Sequence, residues 1–306
     1  MLDIISRLNN YTTIVVALGA AVLGMISGVI GSYSVIRKQS LIGDGVSHSA
    51  LPGVVLAFMM TGNKSTEILL LGALVAGILA AGFIIGIVKN SRIKFDSALA
   101  LVMSVFFGTG LVLLSIVQKT PDSAQAGLSR FIFGQVSAIL KRDVYIMTIV
   151  SAVLILLVIL FWKEFKLFSF DPEYAHTLGF KPMRLNLLLM LMTVFTIIIG
   201  LQTVGVILMS AMLIAPGVAA RQWTDRLWLM IVLSAVFGAG AGVIGAFSSS
   251  LAEKLPTGPA IVVVISIIVL ISILIAPNRG LISKALRRRK SKKEWLEKGV
   301  KGGDII

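Results

Sequence analysis

The feature that most constrains this 306-residue chain is a succession of apolar stretches of about 20 residues without a charge, such as 14–36, 68–88 and 227–251. A hydrocarbon layer about 30 Å thick is crossed by about 20 residues at the 1.5 Å rise of an α-helix, with the backbone polar groups paired inside the segment. Membrane strands would show about ten residues of strict alternation instead, which these continuous runs lack. The fold is therefore read as all-α, a polytopic transmembrane helical bundle. Composition agrees, with 57% of residues hydrophobic and 14% charged, against about 25% charged in a soluble domain.

There is no cysteine, which removes disulfides, iron–sulfur ligation and thiolate metal sites, so a soft ligand has to be methionine or histidine. The net charge of +14 would suggest nucleic acid in a soluble protein. Here the cations gather at span ends and in the run Arg287-Arg288-Arg289-Lys290-Ser291-Lys292-Lys293. That placement sets topology and meets anionic membrane lipid, so no nucleic-acid partner is expected. Arg7 followed by an apolar stretch resembles a signal peptide, but the stretch is too long and further spans follow, so it reads as a retained first helix.

Expected spans are 12–36, 44–61, 66–88, 97–117, 143–163, 184–201, 203–220, 226–250 and 257–276, nine in all, or eight if 184–220 is counted differently. With nine and the N-terminus outside, Arg37, Lys38, Lys89, Arg92, Lys94, Lys163, Lys166, Lys181, Arg184, Arg221, Arg226 and the ten cations from Arg279 onward fall inside. That leaves seven of the 28 Lys and Arg outside. The bias predicts an N-terminus outside and a C-terminus in the cytoplasm. Residues 1–283 then form a transmembrane domain and 284–306 a basic cytoplasmic tail. The segment 118–142, with Pro121 and Gly127, reads equally as a connecting loop or as an interfacial, re-entrant element. Small residues at Gly24/Gly28, Gly82/Gly86 and Gly238/Gly242 have the spacing that lets helices approach closely in lipid.

Two spans repeat a helix breaker: Pro52-Gly53 in the second and Pro216-Gly217 in the seventh. Counted from the first and the sixth spans, each lies in the second helix of a four-helix set. The two sets run in opposite senses, which predicts two inverted-topology halves with the breaks lining a translocation pathway. Ionisable residues are almost absent from the spans, and Asp44 and His48 stand out. A carboxylate there costs about 2.5–3.5 kcal/mol on insertion scales, and at i and i+4 the two side chains share one helical face. A carboxylate and an imidazole together suit manganese, iron, zinc or cobalt. The same two residues also read as an N-cap and a carbonyl-bonded imidazole, and spacing leaves both readings open. Gly62-Asn63-Lys64-Ser65 lacks the glycine spacing of a P-loop, so the chain is not expected to hydrolyse ATP.

The segment Gly43-Asp44-Gly45-Val46-Ser47-His48-Ser49-Ala50-Leu51-Pro52-Gly53-Val54 resembles the signature of the manganese/zinc/iron ABC-importer permeases. Phe168-Ser169-Phe170-Asp171-Pro172-Glu173-Tyr174-Ala175-His176-Thr177-Leu178-Gly179 looks like that family's cytoplasmic coupling segment, and residues 203–216 like its late helix. The resemblance runs from about residue 12 to 282 and departs in the basic tail. It implies a cobalamin-importer-like permease architecture, a membrane-spanning subunit rather than an enzyme, and a transported metal ion, manganese foremost with zinc or iron as alternatives. It further implies two cytoplasmic ABC ATPase subunits that bind ATP, a second permease copy or a paralogue, and an extracytoplasmic metal-binding solute-binding protein. No cofactor is bound permanently in this picture. Asp44 and His48 would hold the metal in transit, and Asp171, Pro172, Glu173 and Tyr174 would engage the ATPase, with His176 a coupling-segment residue rather than a ligand. A proton-coupled secondary metal transporter and a siderophore- or cobalamin-type ABC permease are the alternatives; the first would work without ATP and the second would not need a cation-binding pair.

Overall fold

The computed structural model describes residues 11–62, 65–118, 139–251, 255–285 and 288. Most of the 118–142 segment and most of the basic tail lie outside the described residues. Among the described residues the chain is helical without strands. The helices are α1 (Tyr11–Ile36), α2 (Ile42–Ser49), α3 (Leu51–Thr61), α4 (Thr66–Asn90), α5 (Phe95–Gln118) and α6 (Lys141–Leu160). They continue with α7 (Trp162–Phe170), α8 (Pro172–Thr177), α9 (Pro182–Val204), α10 (Val206–Trp223), α11 (Leu227–Leu251) and α12 (Thr257–Ile275). Eight segments, counting Ile42–Thr61 as one, are long and apolar enough to cross a membrane, and the 18-residue α10 follows the sixth of them.

Helix ends follow local chemistry. The first span stops at Lys38, whose φ of 56° is left-handed, and the Gln39 N–H closes the end on the Ser34 carbonyl at 2.9 Å. Gly62, with φ 62°, ends α3 and donates to the Phe58 carbonyl at 2.8 Å; a glycine takes this conformation without the Cβ penalty.

In lipid, apolar surface gives no direction to helix association, and close packing of small residues decides which helices meet. The main seam joins α1 to α11. A Cβ built on Gly24 would stand 2.1 Å from the Gly238 carbonyl oxygen, and one on Gly242 2.4 Å from that of Ala20. Ser234 adds a hydrogen bond from its hydroxyl to the Gly28 carbonyl at 2.8 Å. Two of the three small-residue pairs singled out in the sequence thus interlock with each other. A Cβ on Gly82 or Gly86 would meet nothing within 4 Å among the described residues.

Helix directions follow from the same contacts. Gly31 lies against Leu213 and Gly217 against Val35, so α1 and α10 run the same way. Gly43 lies against Leu213 and Ser210, so α2 turns back against both. The second and seventh spans are therefore opposed, as two inverted halves require.

Candidate metal site

The second span is two helices in series, and their junction explains the local sequence. Pro52 lacks an N–H for the His48 carbonyl four residues back, and its ring crowds that carbonyl. The helix is interrupted at Ala50 alone, whose φ of −73° and ψ of −23° stay near helical values and which still donates to the Val46 carbonyl at 3.0 Å and accepts from the Val54 N–H at 3.2 Å. Past this junction Gly53 and Gly72 meet backbone to backbone, a Cβ on Gly53 coming 2.1 Å from the Gly72 oxygen. That contact seats α3 on α4, while α2, with Asp44 and His48 on it, packs on α5 through Gly45 and Leu99.

On α2 the His48 Nε2 lies 3.4 Å from the Asp44 Oδ1. Two donors bound about 2.1 Å from one tetrahedral ion stand about 3.4 Å apart, so the pair has the bite of a shared cation. Gly45 packs on Leu99, one turn into α5, and His48 packs edge-on against Phe107 at that helix's middle, with ring centroids 4.7 Å apart. The pair therefore occupies the half of the bilayer on the side where α5 begins. At that depth the Asp44 side chain is 41% exposed and that of His48 24%. A carboxylate so exposed cannot face hydrocarbon without a heavy cost, so this face borders water or another polypeptide. The His48 Nδ1 is buried without a hydrogen-bond partner among the described residues. No group of three or more His, Asp or Glu able to hold a metal occurs among the described residues. Two donors per chain suit an ion in passage rather than a closed resident site, which takes about four ligands.

The remaining residues singled out in the sequence fall elsewhere. Pro52 and Gly53 line an apolar groove of about 460 Å³ with Leu56, Met60, Val75 and Phe106, which Asp44 and His48 do not enter. Pro216 corrects the expectation of a second break: it sits inside the unbroken α10, and Gly217 packs against Val35 and Gly31. A proline removes one ladder bond, and a helix held by neighbours tolerates the loss. Asp171 caps α8, its Oδ1 accepting the Tyr174 N–H at 2.9 Å, and Pro172 takes the first helical position. The helix closes at Gly179, φ 86°, where the Phe180 N–H reaches back to the Ala175 carbonyl at 3.1 Å. Glu173 and His176 are exposed, and among the described residues His176 forms no metal-holding group with Asp44 and His48.

Three contributors escaped the sequence reading. Phe107 touches His48 from 59 positions away, a separation that no local pattern reports. Phe170, which ends α7, and Leu178, which caps the end of α8, lie four residues either side of Tyr174, and all three are 53% exposed. Their positions could be read from the sequence, but their exposure could not.

Comparison with known proteins follows the same outline. A model described as the ABC 3 transport family matches residues 9–276. The chain is 46% identical over 282 residues to the zinc transport system membrane protein TroC of Treponema pallidum, covering 92% of this chain and 95% of that protein. It is 45% identical over 295 residues to the manganese transport system membrane protein MntC of Bacillus subtilis, covering 95% of this chain and 68% of that one. Among solved structures, PsaBC from Streptococcus pneumoniae in complex with Fab matches with a TM-score of 0.80 and 32% identity, over 94% of this chain and 99% of that chain.

Proposed function

The chain belongs to the ABC 3 transport family, a multi-pass membrane permease of an ABC importer and not itself an enzyme, and from that premise we propose that its cargo is a divalent transition-metal ion, manganese or zinc. The observation that carries the reading is the Asp44 Oδ1–His48 Nε2 separation of 3.4 Å on an exposed face at membrane depth. An oxygen and a nitrogen donor accept both metals, and relatives named for zinc and for manganese are almost equally similar. Coordination is completed by water or by a second permease, a copy or a paralogue, facing the pair across a central pathway.

The partners follow from the reading. Two cytoplasmic ABC ATPase subunits dock on α8 through Glu173 and Tyr174, with the exposed Phe170 and Leu178 at its two ends, and an extracytoplasmic solute-binding protein delivers the ion. Cations set the orientation. Arg37, Lys89, Lys163, Arg184, Arg221 and Arg279 lie on the face where α1 ends, while Lys141 and Arg142 lie on the other, where Lys141 covers the Tyr11 ring at 4.5 Å. The first face is then cytoplasmic, with the N-terminus outside and the C-terminus inside.

Proteoliposomes holding the permease and its ATPase test the reading. Mn²⁺ or Zn²⁺ should enter only with ATP. Entry without ATP that collapses with a proton ionophore would replace this reading with a proton-coupled one. Replacing both Glu173 and Tyr174 by alanine should leave the permease folded and weaken ATPase association about tenfold, near 1.4 kcal/mol, as for an interface anchor. Unchanged metal-stimulated hydrolysis in that variant would remove α8 from the docking surface.

The prolines separate in the same assay. Pro52→Ala restores an N–H to the His48 carbonyl and removes the interruption just past the pair, so uptake should fall about tenfold, or 1.4 kcal/mol, with folded yield kept. Pro216→Ala acts in a helix already continuous and should change uptake less than twofold. Matching losses of uptake and yield in Pro52→Ala would reduce the junction to packing.

A further inference from the structure

Arg37 enters the sequence reading only as one cation in a topology count, yet the structure carries its side chain into the bundle. Its Nη2 donates to the Asn186 Oδ1 in the first turns of α9 at 2.5 Å, and its guanidinium lies over the Phe168 ring of α7, 4.6 Å from the centroid. One turn earlier on α1, Tyr33 meets Phe165 edge-on at 5.7 Å, and Phe165 is fully buried. Phe165 in turn contacts Phe161 at 5.8 Å. Tyr33 on α1 and Arg37 just past its end, four residues apart, thus grip Phe165 and Phe168, three apart on α7, as two rungs. Burial lowers the Arg37 pKa to about 10, which leaves the group charged at neutral pH.

The rungs stand at a junction. One residue, Asp171, separates α7 from α8. Residues 37–41 alone separate α1 from α2, which carries Asp44 and His48. Toward its other end α1 is fixed to α11 by backbone contact at Gly24 and Gly28. A short path from α7 to the metal-bearing turn therefore runs through the two rungs and residues 37–41.

We propose that Arg37 is a positioning residue that passes movement of the docking segment α7–α8 to the turn bearing Asp44 and His48. This rests on the reading of α8 as the ATPase contact. Arginine suits the task because its planar fork stacks on a ring and donates in plane at once, which a lysine ammonium does not do. The neighbouring left-handed Lys38 gives the chain its reversal directly after this anchor.

The test measures Mn²⁺, and Zn²⁺ in parallel, moved per ATP hydrolysed by the permease–ATPase complex in proteoliposomes. In Arg37→Gln and Arg37→Lys the complex should assemble and hydrolyse ATP within twofold of the parent, while metal moved per ATP falls about tenfold, inside the 5–150-fold range of site-to-site coupling. Phe168→Leu keeps the apolar volume and removes the ring face, so it should reproduce the loss if Arg37→Gln proves too poorly folded to assay. An unchanged ratio in Phe168→Leu and in either Arg37 variant overturns the proposal, as does a loss that only tracks the amount of assembled complex. Failure of the docking reading shows separately, as ATPase binding that survives the Glu173/Tyr174 replacement.

Discussion

Asp44→Asn and His48→Gln will each abolish metal uptake while leaving the protein as stable as the parent or more so. A hydrated divalent ion entering the bilayer exchanges water for protein donors, and this chain offers two on the exposed face of α2. Disturbing a group behind a metal ligand costs about 10–100-fold in affinity, and removing one of only two ligands has to exceed that. Asparagine keeps the size and much of the hydrogen bonding of Asp44 without its charge. Because Asp44 is two-fifths exposed on a face that borders water or another polypeptide, removing its charge should not lower the melting temperature. Uptake in cells, expression, assembly with the ATPase and thermal melting of the purified chain give the four readings. Loss of uptake with a parallel drop in melting temperature would make Asp44 a structural residue, and a double replacement with near-parental uptake would end the site assignment.

Gly24→Leu and Gly238→Leu should each prevent the chain from being recovered folded. A Cβ on Gly238 would stand 2.0 Å from the Gly24 carbonyl oxygen, and that on Gly24 2.1 Å from the Gly238 oxygen, so even one methyl forces the two backbones apart. Overpacking costs about 1–3 kcal/mol where side chains can move aside, and here the obstacle is backbone on both helices. Separating α1 from α11 would also break the Ser234 hydroxyl bond to Gly28. Gly82→Leu supplies the contrast, since none of the described residues lies within 4 Å of a Cβ there, and it should leave the purified chain monodisperse on size exclusion. Recovery of folded Gly24→Leu at the level of Gly82→Leu would mean that the seam is far looser than its contacts.

The sequence alone determined the elements and their local chemistry. Hydrophobic length set the spans, because the bilayer core has one thickness and a helix one rise per residue. The Asp44/His48 pair was visible because i and i+4 share a helical face wherever the helix goes, and the Asp171 cap because its bond spans three residues. Tertiary structure decided what meets across distance. It paired Gly24 with Gly238 and left Gly82 open, though the spacings are the same. It kept α10 whole at Pro216 while interrupting the second span at Ala50, two residues before Pro52, although both carry the same Pro–Gly step. It set Phe107 against His48 and brought Arg37 to Asn186, 149 positions away. The reason is physical. Backbone hydrogen bonding and transfer from water act within a segment and can be read from it, whereas lipid is as apolar as a leucine side chain and gives no preference for one neighbour over another. Which helices lie together, and so which residues share a site, is decided by fit between surfaces that only the folded chain brings into contact.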